Sequence, residues 1–281
     1  MPSRRVPVAL LCCVLVVTAG CAGLSDTGGQ PTTDGTTTAT PTETTTESTT
    51  QATTAQPAQL APGLTRDGVA DALALADAHR EFLETHQFVK RTRTQRENPG
   101  DWGWRASVLA YANESHWKWN TTGEELPVAF GVTNGSYALF ADGHRVLYRL
   151  RADGNVTYGV ARIGGGADSP PTPPRSVLGR SVYERGLVYT LLSRANVTVE
   201  RGDGVAARVT GTADEFSIGG ETVTDVEFTA AVRSSGLVER LELTYERGNA
   251  TVKRSIIFDA DVTDPLERPA WYDTALNRTN E

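Results

Sequence analysis

Cysteine is almost absent from this 281-residue chain, and the three present, Cys12, Cys13 and Cys21, all stand near its start. Nothing after Cys21 can form a disulfide or a thiolate metal site, so any folded region has to be held by packing alone. Lysine is nearly missing too, with only Lys90, Lys118 and Lys253, and the 27 basic residues are outnumbered by 34 acidic ones. A surface of that sign repels nucleic acid and anionic headgroups. A run of about 20 apolar residues, the length a membrane-spanning helix needs, is also lacking. The apolar stretch between Val6 and Gly20 falls short of it and is interrupted by Pro7.

What is present begins with an export signal. Arg4 and Arg5 precede the apolar run Val8 to Val17, followed by Thr18-Ala19-Gly20-Cys21. A basic start, an apolar core of about 7–15 residues and small residues at the cut are the parts of a secretory signal. A cysteine directly after Ala-Gly marks the residue to be lipidated. Residues 1–20 are therefore read as a lipoprotein signal peptide and Cys21 as the acylated first residue of the mature chain, which places the protein on the cell membrane, facing outside. An ordinary secretory signal and an uncleaved anchor are the competing readings, and Ser3-Arg4-Arg5 leaves both the general and the twin-arginine export routes open. Removal of Arg4 and Arg5 takes the formal net charge from −7 to −9.

From Leu24 to about Gln59 the composition narrows to Thr, Ser, Gly, Pro, Gln and Ala. Such a tract cannot bury a core and behaves as an extended tether, so residues 21–63 are expected to form a stalk and 64–277 one extracytoplasmic domain. The domain opens with a helix, capped by Thr65 and carrying Val69, Leu73 and Ala76 on one face up to about Thr85. After His86 the period becomes two. Trp102, Trp104, Ala106, Val108 and Ala110 alternate with polar residues, as do Trp117 and Trp119, then Val146, Tyr148 and Leu150. Gly164 to Pro174 is too rich in Gly and Pro for regular structure, and a second helix is predicted over 177–193. Strands resume at Val197 and run on to Phe258, with Leu241, Leu243 and Tyr245 on one face. Successive half-apolar strands argue for an antiparallel meander with one face covered. The fold class expected is α+β, a long curved antiparallel half-barrel covered by the N-terminal helix and the inserted one.

A helix followed by a long sheet with one helical insertion, behind a tethered cysteine, resembles the LolA/LprG group of lipid-handling lipoproteins. The segments Gly236-Leu237-Val238, Leu241-Glu242-Leu243-Thr244-Tyr245 and Pro269-Ala270-Trp271-Tyr272 resemble a family of haloarchaeal lipoproteins of unknown function. Together these resemblances cover Leu64 to Asn277 and imply a carrier of lipid. Scarce lysine, excess acid and abundant threonine suit proteins of salt-loving archaea; a GC-rich genome gives the same exchange of Lys for Arg.

Catalytic and metal chemistry finds no support in the residue pattern. His79, His86, His116 and His144 are far apart, with no metal-ligand spacing. Asp259, Asp261 and Asp264 lack the glycine and closing glutamate of a calcium loop, and Ser181 lacks the second glycine of a nucleophile elbow. The chain is accordingly expected to be no enzyme, with no cofactor and no nucleic-acid partner; protein partners are not legible. Seven of the nine asparagines, Asn113, Asn120, Asn134, Asn155, Asn196, Asn249 and Asn277, open Asn-x-Ser/Thr sequons, and N-glycosylation is expected on several. Trp104, Trp117 and Trp119 are expected to share a sheet face with Tyr148, Leu241 and Leu243. That face is either ordinary core or an aromatic wall for an acyl chain. The two functional readings are a membrane-anchored binder of lipid or another apolar ligand, and a structural surface glycoprotein with no ligand.

Replacing Cys21 with Ser is expected to release the protein into the medium or leave the precursor uncleaved. Fractionation of cells expressing the variant checks this, and a C21S chain processed and retained like the parent overturns the lipoprotein reading.

Overall fold

Alternation along the chain becomes one sheet of eleven antiparallel strands, built as two meanders side by side. The computed structural model describes residues 58–98, 101–124, 126, 134–161 and 173–279. The signal peptide, Cys21, most of the stalk and all but the end of the Gly/Pro loop lie outside those residues. The first meander comprises β4 (Phe88–Asn98), β5 (Asp101–Asn113), β6 (His116–Gly123), β7 (Gly135–Asp142), β8 (Val146–Ala152) and β9 (Asn155–Val160). The second comprises β10 (Asn196–Gly202), β11 (Val205–Ile218), β12 (Glu221–Val232), β13 (Val238–Arg247) and β14 (Ala250–Asp259). They join where β14 pairs with β4, Ile256 opposite Thr92 and Phe258 opposite Lys90. β9 and β10, consecutive in the chain, are therefore the two opposite edges of an open sheet.

That topology places the helical insertion. A connection between the two edges has to cross a face of the sheet, and it carries α2 (Pro174–Leu178), a 3-10 turn (Gly179–Ser181) and α3 (Arg185–Arg194). The continuous helix expected over 177–193 is thus two helices. Gly179 at φ +64° ends the first, and Glu184 at φ +56° stands before the second. A left-handed backbone at a residue other than glycine costs of order 1 kcal/mol or more, and the partners of the buried Glu184 side chain hold it there. Lys90 Nζ lies 2.6 Å and Arg254 Nη2 2.7 Å from its Oε1, and Lys90 also donates to the Ser181 carbonyl. Burial by itself would raise the Glu184 carboxyl, but the two cations hold it below the ordinary carboxylate range.

Among the described residues, a strand precedes Leu64. β1 (Gln59–Ala61), β2 (Leu64–Thr65) and β3 (Gly68–Val69) form a small antiparallel sheet ahead of α1 (Ala72–Thr85). Asp71 caps α1, its Oδ1 accepting the Ala74 N–H at 2.9 Å, whereas the predicted cap Thr65 lies in β2. The reason is Gly63, at φ +70°. Its carbonyl accepts the N–H groups of Ala70 and Asp71, and a Cβ there would sit 2.0 Å from the Asp71 carbonyl. The chain must therefore loop back on Gly63 before the helix can start.

α1 and α3 pack together on the face that we call inner. Leu75, Ala76 and Leu83 of α1 and Val188, Leu191 and Leu192 of α3 join the buried core with Phe228, Leu241, Ile256 and Phe258 of the sheet. A further helix at the tail, α4 (Tyr272–Thr279), covers the outer face of β7–β9, where Trp271 and Ala275 meet Ala138, Phe140 and Leu147. The periodicity predicts two helices on one face; α4 is an additional helix, on the other.

His79 fastens α1 to both neighbours. Its Nε2 lies 2.7 Å from the Tyr183 carbonyl and its Nδ1 accepts the Val238 N–H at 3.2 Å, so the geometry requires the neutral ring protonated on Nε2. Burial, opposed by the Tyr183 carbonyl, pushes its pKa down to about 4. A depressed histidine binds its proton more readily in the unfolded chain. Its contribution is therefore complete above pH 6.5 and lost as pH falls from 6.5 towards 4. Between those limits the parent is expected to lose about 3 kcal/mol relative to His79→Gln. Denaturant melts of both proteins across that range check it, and parallel stability curves would count against the neutral pin.

Candidate ligand-binding face

Strand pairing decides which side chains share the inner face. Across β4, β5 and β6, Phe88 stands opposite Tyr111 and Tyr111 opposite Trp117; Leu109 stands opposite Trp119. The face continues through Leu139 and Tyr137 of β7 to Tyr148 and Leu150 of β8. On the other side of β4 it runs through Ile256 and Leu241 to Ala230 and Val209. Trp104 is not on it. The β5–β6 hairpin pairs odd positions with odd ones, so Trp104, opposite Gln95, belongs to the outer face and is only half-buried. The expected sharing of one face by Trp104, Trp117 and Trp119 is corrected by one residue of hairpin register.

The inner face has two unequal halves. Over β11–β13, α3 closes on Phe228, Ala230 and Leu241, leaving a space of about 10 Å³ between helix and sheet. That is roughly the room of one water probe, so no acyl chain enters there. Leu241 and Leu243 are 3% exposed, and Trp117 is fully buried beside Tyr111 and Ala141. These three sequence candidates are core. Two wider openings lie on the outer face: a groove of about 550 Å³ over β10–β13, floored by Thr198, Thr210, Thr212, Thr229 and Thr244, and one of about 420 Å³ beside α4.

Trp119 and Tyr148 behave differently. Both are half-buried, and Tyr137, which the sequence analysis did not single out, joins them into a row on β6, β7 and β8. The Trp119 and Tyr137 rings meet edge to face with centroids 6.2 Å apart, and Tyr137 and Tyr148 stack at 5.9 Å with 25° between planes. Such contacts contribute about 0.5–1.5 kcal/mol beyond area burial and orient the rings. Burial, then the neighbouring Tyr148, push the Tyr137 hydroxyl up to about 12, so it stays a neutral phenol. Gly159 seats the last ring: it pairs with Tyr148 across β8–β9, and a Cβ on it would lie 2.6 Å from the Tyr148 ring. The signal for Tyr137 was its place two residues before Leu139 in an alternating strand.

Six of the sequon asparagines are exposed, at 113, 134, 155, 196, 249 and 277. Asn120 is half-buried within β6, opposite Val108 and Ala138. Asn277 lies on α4. Among the described residues no group of three His, Cys, Asp or Glu side chains comes together as for a metal. Asp261 is engaged by Arg233 at 2.9 and 2.7 Å, and Asp259 stands 3.6 Å from Arg91. No helix among the described residues is long and apolar enough to cross a membrane.

The chain is an α+β protein built on an open antiparallel half-barrel, with helices on both faces. No family model matches it, and no curated protein matches it. Among solved structures it is similar to LprF from Mycobacterium bovis, at 10% identity over 68% of this chain and 94% of that one, with a TM-score of 0.37. It is similar also to the Mycobacterium tuberculosis lipoprotein LppX, at 14% identity over 68% and 97% of the two chains and a TM-score of 0.32. A LolA superfamily protein from Nitrosomonas europaea is similar at 7% identity over 71% and 98%, with a TM-score of 0.26.

Gly159→Val is expected to push the Tyr148 ring off β9 and break its stack on Tyr137. The overpacking should lower stability by about 1–3 kcal/mol, with a changed near-ultraviolet aromatic spectrum. A G159V variant with the parent's spectrum and melt would mean that the ring does not rest on Gly159.

Proposed function

We propose that this chain is an extracytoplasmic lipoprotein, held to the membrane by acylated Cys21 and a threonine-rich stalk, whose inner sheet face carries a lipid or other apolar ligand. One observation carries the reading: the half-buried aromatic row Trp119, Tyr137 and Tyr148 continues the apolar inner face beyond α1 and α3. Rings held by mutual contacts and by Gly159 offer a preformed apolar wall. The exposed sequons suit glycan attachment at several of the seven asparagines. The second reading is a structural surface glycoprotein with no ligand, and the filled space under α3 favours it for that half of the face.

Each methylene taken from water contributes about 0.8 kcal/mol. Affinity for straight-chain fatty acids should therefore rise roughly tenfold for every two carbons until the wall is covered. Titration of the delipidated full chain, followed by tryptophan fluorescence and thermal melting, measures this. Trp119→Ala and Tyr148→Ala should weaken binding at least tenfold, while Trp104→Ala, on the outer face, should leave it unchanged. Flat signals at every chain length would leave the structural glycoprotein in possession.

A further inference from the structure

The reverse side of the strands bearing the aromatic row holds a concentration of positive charge. Tyr148 and Leu150 of β8 point inward, so Arg149 and Arg151 point outward, opposite Tyr158 and Val156 of β9. Arg278 of α4 comes to the same place, its guanidinium 5.4 Å from the centre of the Tyr158 ring, while that of Arg149 lies 5.6 Å from the centre of Trp271. Trp271 is buried and fixed, so Arg149 is held by its packing and not by a carboxylate. Its Nε is buried with no hydrogen-bond partner.

Among the described residues no carboxylate pairs with Arg149, Arg151 or Arg278. Of the acidic groups of these elements, Asp142 and Asp273 are engaged elsewhere. Asp142 accepts the Tyr272 hydroxyl at 2.6 Å and the N–H groups of His144 and Arg145, and Asp273 pairs with Arg268. Asp153 stands exposed in the β8–β9 turn. Burial and the neighbouring Arg151 both disfavour the charge on Arg149. Acid outnumbers base along the whole chain, yet among the described residues these three arginines have no carboxylate partner. That arrangement costs free energy in the isolated protein and is relieved by an external anion.

We propose that Arg149, Arg151 and Arg278, gathered around Tyr158 and Trp271 where α4 crosses β8 and β9, form a docking surface for the phosphate headgroups of an anionic membrane. Guanidinium groups bind phosphate in bidentate fashion. The companions fit a bilayer surface better than an acidic polypeptide. Val156 is 39% exposed beside Arg151, and half-buried Tyr158 and Tyr272 supply the amphipathic rings that settle at headgroup level. The surface lies opposite the proposed ligand wall and does not depend on it.

The test is sedimentation of the full chain carrying Cys21→Ser with vesicles of phosphatidylcholine, alone or with roughly one third phosphatidylglycerol. Anionic vesicles should retain it at least about tenfold better, with retention falling as salt is raised. The triple variant R149Q/R151Q/R278Q should lose that preference, and the double variant R151Q/R278Q, which keeps Arg149 on Trp271, should lose most of it. R201Q/R208Q, at the far edge of the sheet, should bind like the parent, and thermal melts establish that each variant is folded. A folded double variant that still prefers anionic vesicles overturns the proposal. So does arginine-dependent retention on immobilised polyglutamate without arginine-dependent vesicle binding, which would assign the surface to an acidic protein.

Discussion

Glu184 is a single buried carboxylate answering two cations from adjacent central strands, and the placement of the helical insertion depends on it. Lys90 of β4 and Arg254 of β14 both reach its Oε1. The contact spans the seam where the two meanders meet and fixes the residue from which α3 departs. Removing one member of such a buried cluster typically costs about 3–5 kcal/mol, because the others stay desolvated without their partner. Here that cost falls on the one connection joining the opposite edges of the sheet. His79 acts beside it, taking the Val238 N–H and donating to Tyr183, the residue before Glu184. α1, α3 and the start of β13 thus share one buried polar core, set among Phe88, Tyr111, Tyr183 and Phe258.

From this anchor the inner face extends in two directions with different outcomes. Towards β11–β13 the chain supplies its own filling, and Val188, Leu191 and Leu192 close on the sheet. Towards β6–β8 the buried Trp117 and Leu139 give way to the half-buried rings of Trp119, Tyr137 and Tyr148. Tyr148 is held by Tyr137 stacked beside it and by Gly159 opposite it. The same device recurs in the closed half, where the Phe228 ring lies over Gly211. A glycine beneath a ring thus serves packing in both halves of the sheet.

β8 carries both proposed activities, because successive side chains of a strand leave on opposite faces. Tyr148 belongs to the ligand wall; Arg149 and Arg151 belong to the arginine cluster under α4. α4 also buries Phe140 and Leu147, which would otherwise leave an apolar outer face in water. The tail helix therefore completes the fold of β7–β9 and brings Arg278 to the arginines of β8.

The residues by themselves determined the elements that depend on local pattern. Alternation marked the strands because one side of each faces core. The run before Cys21 and the threonine tract are compositional and needed no fold to be read. Tertiary structure alone decided what depends on distant partners. Whether Trp104 joins Trp117 and Trp119 turned on one residue of hairpin register, which no single strand encodes. The break at Glu184 turned on Lys90 and Arg254, each about 70 to 95 residues away in the chain. Tyr137 became part of a site only when β6 and β8 closed on either side of β7. Pairing across the sheet is non-local, so the identity of a strand's neighbours, and with it the membership of a binding face, is settled by packing and not by the pattern along any one strand.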